Sequence, residues 1–248
     1  MKFSSTIVAA LLSIGIAVGQ HRLDSPDWTE RYQAFASLSS AQTPLDAAGK
    51  RKLDQLLRLE TKVILDTLNA SNGKTGVSDT FGEEFGEYYS RVLDRVFEFA
   101  KVDEDEDALH ALAAGAYDPR SIFATELVKR WWKVIAPVFL DVRPEDGAGI
   151  AFGDALEMMG RILGAHRAEM PQQMISQMED RLMQGLLHPD YIIRQSACEA
   201  AGDAGFKAAI PVLRRLSKED PVSLQDRFGK TYYPRREVAA KALQKLEK

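Results

Sequence analysis

Cysteine is nearly absent: Cys198 is the only one in 248 residues. No internal disulfide can form, so the fold must be held by packing. Set among alanines, Cys198 reads as a small packed residue rather than a reactive thiol. Histidine is also scarce, and the four present, His21, His110, His166 and His188, lack the i, i+4 spacing with a carboxylate base that a metal site needs. His166 and Glu169 can share a helix face, but two groups do not make a site. There is no His-Glu-x-x-His, no Gly-x-Ser-x-Gly and no cysteine pair. Neither sign of charge dominates. Lys and Arg number 32 against 36 Asp and Glu, a net charge of −4; without Lys2 the balance is 31 against 36. That mild acidity argues against nucleic acid as a partner, and no strong membrane binding is expected. Alternating strand patterns of useful length are missing too, which leaves helices.

Several motifs begin and then fail. Gly73-Lys74-Thr75 and Gly229-Lys230-Thr231 resemble the end of a phosphate loop, yet Leu68 and Leu224 stand where its first glycine belongs. The acidic run Asp103 to Asp107 suggests calcium, but Ala108 and Ala114 occupy the positions that require Gly and Glu. Its carboxylates fit better at a helix N-terminus, where the dipole favours them. Gly147 to Gly153 follows an apolar run as a dinucleotide loop would, but Pro137 interrupts the supposed strand. No cofactor is expected, and carboxylates dispersed along the chain form no recognisable acid–base pair.

The chain opens with Lys2 and an uncharged apolar run, Thr6 to Val18, too short to span roughly 30 Å of hydrocarbon comfortably. Ala17-Val18-Gly19 has the small-x-small character of a cleavage site. Residues 1–19 are therefore expected to be a signal peptide, with an exported, soluble chain beginning at Gln20. Asp27 is placed to cap a helix through Trp28, Tyr32 and Phe35. A longer helix follows from about Leu45 to Leu68, its apolar face marked by Leu53, Leu56, Leu57 and Ile64, with Glu60 as the polar exception. Asn69 to Gly82 reads as a loop and the end of an N-terminal region, 20–82; Asn69-Ala70-Ser71 within it has the form of a glycosylation sequon. A central helical region, 83–187, contains a helix through Tyr88, Val92 and Val96. Another starts at Asp118-Pro119 and is ended or kinked by Pro137. Two further helices are expected near 155–163 and 170–187.

The last region, 188–248, is periodic. Asp190 and Arg194 precede Ala197, Ala200 and Ala201 on one helix; a Gly202–Gly205 joint leads to Ile210, Leu213 and Leu216 on a second. Small residues on the first helix are expected to admit the second closely. Arg236, Ala239 and Ala242 lie 42 residues beyond Arg194, Ala197 and Ala200. A weaker echo appears at Asp27, Arg31, Ala34 and Leu38. A period near 40 residues with two helices per unit is the range of HEAT and armadillo repeats. These residues resemble the bacterial HEAT-repeat family: Asp190 and Arg194 match its Asp-x-x-x-Arg signature, Ala197 to Ala201 its small-residue helix, and Ile210 to Leu213 its second helix. The resemblance covers about the last sixty residues and the echo at Asp27, and is interrupted by an insertion between Val222 and Pro234. It implies an all-α HEAT-like solenoid, irregular in the middle. It also implies that Asp190, Arg194 and Arg236 join a polar ladder between repeats and that the concave face binds proteins.

One surface candidate stands apart. Lys129-Arg130-Trp131-Trp132-Lys133 sets two indoles among three cations. Neighbouring helical residues point about 100° apart, so one indole belongs to the core and the other, where partly exposed, is a candidate binding anchor; a wide buried face between repeats is the reading preferred to that anchor. The functional expectation is an exported, non-enzymatic scaffold or adaptor that binds another protein. The alternative is an enzyme, or an enzyme-accessory protein, with a carboxylate site in a groove between repeats.

Overall fold

A computed structural model describes residues 23–39, 45–70, 80–115, 122–144, 150–225 and 231–248. The expected signal peptide (1–19), the Gly73 and Gly229 near-motifs, the sequon's Ser71, the Asp118-Pro119 helix start and the Gly147–Gly149 stretch lie outside these residues, at least in part. The protein is mostly helical, with ten α-helices among the described residues and one hairpin of two-residue strands. None of these helices is long and apolar enough to cross a membrane.

The chain divides into two compact units. Among described residues the first comprises 23–39, 45–64 and 80–115, and the second 65–70 together with everything from 122 onward. The division therefore falls after Gly115, not at 82 and 187 as the sequence suggested. The reason is aromatic packing, which ties residues of the 83–115 stretch to the first helix.

In the first unit, α1 (Trp28–Ser39), α2 (Ala47–Ala70, through residue 64), α3 (Glu83–Asp103) and α4 (Glu106–Gly115) follow in order. Asp27 starts α1 by accepting from the Thr29 amide at 2.9 Å and the Thr29 hydroxyl at 2.8 Å, the capping role its position predicts. Those bonds hold its carboxyl below the usual range. Leu53, Leu56, Leu57 and Ile64 of α2 are buried, and so is Glu60. α3 turns Phe85, Tyr88 and Tyr89 inward. Phe85 meets Trp28 edge-on at 5.3 Å, and Tyr88 packs on Tyr32 and Phe35 at 5.3 and 5.9 Å. The acidic run sits where the dipole favours it: Asp105 accepts from the Ala108 amide, and Glu106 and Asp107 occupy the first turn of α4.

The second unit holds α5 (Ile122–Asp141), α6 (Ile150–His166), α7 (Gln172–Leu186), α8 (Tyr191–Asp203), α9 (Ile210–Glu219) and α10 (Pro234–Leu246). Here α6, α8 and α10 stack in sequence, while α5, α7 and α9 lie against them. The stack depends on small residues. A Cβ added to Gly160 would lie 2.6 Å from the Ala200 backbone; one added to Gly202 would lie 3.2 Å from Ala242 Cα. Each glycine therefore admits the alanine 40 residues on, and the two contacts repeat with the 42-residue period. This corrects the expected role of the alanines. Ala197 and Ala200 do not chiefly admit α9, the next helix in the chain. Ala197 lies against Gly185 of α7 and Ala200 against Gly160 of α6.

The insertion after Val222 holds the hairpin, β1 (Leu224–Gln225) against β2 (Thr231–Tyr232), with Leu224 opposite Tyr232. Pro137 does not end α5, which continues to Asp141; the break in helical geometry falls at Trp131, with φ −125° and ψ 24°.

Candidate functional site

The polar centre of the second unit starts from one loop. In His188-Pro189-Asp190, the Asp190 carboxylate accepts from the Ile192 amide at 2.7 Å and so caps α8. It does not pair with the Arg194 side chain. One turn on, Arg194 Nη1 donates back to the carbonyls of His188 at 2.9 Å and Pro189 at 2.7 Å. Its Nε donates to Asp220 at 2.9 Å, and the Asp220 side chain is 1% exposed. Asp220 also accepts from the Val222 amide at 3.1 Å, and its backbone carbonyl accepts from Arg236 Nε at 2.9 Å. The two arginines that the 42-residue period relates thus converge on one aspartate at the end of α9. Arg194 and Arg236 meet at Asp220, whereas Asp190 caps α8 and takes no part in that junction. The sequence carried a signal for it, an Asp-Pro step straight after the charged turn of α9.

The echo at Asp27 has the same local geometry. Arg31 Nη1 donates to Ser25 O at 2.7 Å and Pro26 O at 3.0 Å, the positions of His188 and Pro189 in the second motif. Its Nε and Nη2 bind the two oxygens of Glu60 at 2.5 and 2.7 Å. The Tyr88 hydroxyl donates to Glu60 at 2.8 Å. Burial, and then the Glu60 charge, push the Tyr88 hydroxyl's pKa well up.

The tryptophan cluster is not an anchor. Trp131 and Trp132 are both buried, at 7% and 5% exposure. The break at Trp131 departs from the regular helical step, so both indoles reach the interior. Arg130 lies over Trp131 at 4.5 Å and Lys133 over Trp132 at 5.6 Å, while His166 stacks on Trp132 at 5.3 Å. His166 also faces Glu169 at 3.2 Å and the Val128 carbonyl at 3.1 Å.

Exposed apolar groups gather elsewhere. A groove of about 590 Å³ opens beside the Arg194–Asp220 pair, lined among others by Leu187, Tyr191, Arg215 and Val222. Leu187 is 56% exposed and Tyr191 40%. Arg235 covers Tyr191 at 4.3 Å, and Arg236 covers Tyr233 at 3.8 Å. Every exposed large apolar residue described in the second unit falls in this stretch, since the others are Leu224, Tyr232 and Tyr233. A second groove, about 650 Å³, lies between α5 and α7 along Pro137, Leu140, Met174 and Arg181.

Among the described residues the buried carboxylates are Glu60 and Asp220, and each is bound to an arginine. No group of three metal-ligating side chains occurs among them. Burial, with Asp220 nearby, pushes the Cys198 thiol up to about 12, far from the low value a reactive cysteine needs. No family model, no curated protein and no solved structure matches this chain.

Proposed function

We propose that this protein is an exported, non-enzymatic scaffold whose second unit is a short HEAT-like solenoid that binds another protein. The observation that carries the reading is the concentration of half-exposed leucine and tyrosine along one edge of that unit, beside an open groove. Scattered apolar residues are ordinary on a surface, but a gathered set beside a groove is characteristic of an interaction site. The recurrence of the Gly160–Ala200 contact at Gly202–Ala242 supports the repeat reading, because each unit of a solenoid meets only its neighbours through equivalent contacts. Both buried carboxylates among the described residues are bound to arginines, which favours binding over acid–base chemistry. Affinity capture from the native envelope or secreted fraction tests the scaffold reading: specific proteins are retained by the folded chain and not by the heat-denatured one. Retention of nothing above background in either fraction rejects it. Amino-terminal sequencing of the exported chain should start at or near Gln20.

A further inference from the structure

We infer that the edge formed by Leu187, Tyr191, Tyr233 and Arg235 seats a short acidic segment of a partner protein, one with apolar side chains between its carboxylates. This rests on the scaffold reading and specifies the chemistry of its partner. Arg235 lies over the Tyr191 ring; its Nε is buried without an acceptor among the described residues, so the two Nη groups at the half-exposed end of the side chain are its donors to a partner. Arg236 gives its Nε to a backbone carbonyl and lies on Tyr233. Arg215, on the groove wall, is exposed and is paired with no carboxylate among the described residues. These three cations differ from Arg194, whose charge Asp220 already balances. A guanidinium stacked on an aromatic ring keeps in-plane N–H donors that match a carboxylate. Glu219 is the exposed acid in the same lining, so the local balance remains positive.

Charge along the chain agrees with this. From residue 188 onward Lys and Arg number 12 against 8 Asp and Glu, whereas the remainder has 20 against 28. A short segment meets only this local field, since exposed charges are screened beyond about 8–10 Å. A nucleic acid or an anionic membrane is large enough to meet the acidic remainder as well, which disfavours both. The half-exposed leucine and tyrosines supply apolar contact at low entropic cost, as aromatic groups do at interfaces.

The test is to pan a phage-displayed library of random peptides against the full chain. Enriched sequences should combine Asp or Glu with aromatic or aliphatic residues. Their binding should weaken with added salt and fall at least about tenfold in Arg235→Glu and in Leu187→Ser, while both variants melt like the parent. The inference is overturned by peptides without an acidic excess, by enriched peptides that bind both variants as well as the parent, or by no enrichment. It is also overturned if Arg235→Glu dissociates a self-associated form, which would make the occupant a second copy, or if it abolishes binding to anionic vesicles or single-stranded DNA while peptides stay unbound. A partner captured from native fractions and still retained by Arg235→Glu leaves the scaffold reading standing and removes this edge as its site.

Discussion

The same helix start is built twice in this protein, and the two copies are put to different use. Ser25-Pro26-Asp27-Trp28 and His188-Pro189-Asp190-Tyr191 each cap a helix with aspartate and return an arginine to the two carbonyls before it. The copies part at the carboxylate. Arg31 meets Glu60, from the interior of α2, and the side chains are 3% and 0% exposed. Arg194 meets Asp220, from the end of α9, at 12% and 1% exposure. A glutamate reaching from mid-helix carries the pair into an aromatic core and needs a third partner, Tyr88, to satisfy it. An aspartate at a helix end leaves the pair on the wall of an open groove. The motif specifies the local turn; the element supplying the acid decides whether it becomes a sealed lock or part of a surface.

The sharpest way to break this comparison is at Glu60. Glu60→Ala leaves Arg31 buried and unpaired and should cost about 3–5 kcal/mol in urea denaturation. Replacing all three side chains, Arg31→Met and Glu60→Leu with Tyr88→Phe, should recover most of that loss, because apolar groups of similar volume need no partner. A single variant costing under about 1 kcal/mol would mean that water reaches the pair. Arg194→Ala, at the more open copy, should cost about 2 kcal/mol, between the values for exposed and buried pairs. A loss equal to that of Glu60→Ala would erase the distinction between the two sites.

Smaller effects probe the stack behind the second copy. Gly160→Ala drives a Cβ to 2.6 Å from backbone that cannot swing aside, and overpacking of that kind should cost about 1–3 kcal/mol. Gly202→Ala, with its nearest atom at 3.2 Å, should cost less. Thermal melts of both would check the order, and a reversed order would mean that α8 and α10 are the closer pair. The smallest effect is at Cys198, one turn beyond Arg194. Its folded thiol ionises only near 12, while the unfolded thiol ionises near 8.5. The folded form therefore keeps a proton that the unfolded form loses, and stability falls as pH rises above about 8.5. Between pH 7 and pH 9 that term is below about 1 kcal/mol, and it should vanish in Cys198→Ala. Native Cys198 should resist alkylation at pH 8.

Helix content, the cap at Asp27, the apolar face of α2 and the 42-residue spacing were all legible in the chain, because each depends on neighbours within a turn or on a repeated pattern. The polar exception, Glu60, was visible as an anomaly, but its partner lay 29 residues away, across a turn that no local rule orients. The burial of both tryptophans agrees with the preferred reading of a wide buried face; the break at Trp131, which no local pattern announces, accompanies the burial of two adjacent indoles. Ala197 and Ala200 announced close packing without saying against which helix, since a small side chain admits any neighbour. By itself, then, the sequence determined the helical class, the cap at Asp27 and the 42-residue spacing. Tertiary structure decided that residues 83–115 join the first unit and that Asp220 gathers both repeat arginines. It also decided which apolar residues remain at the surface, because burial is shared among segments far apart in the chain.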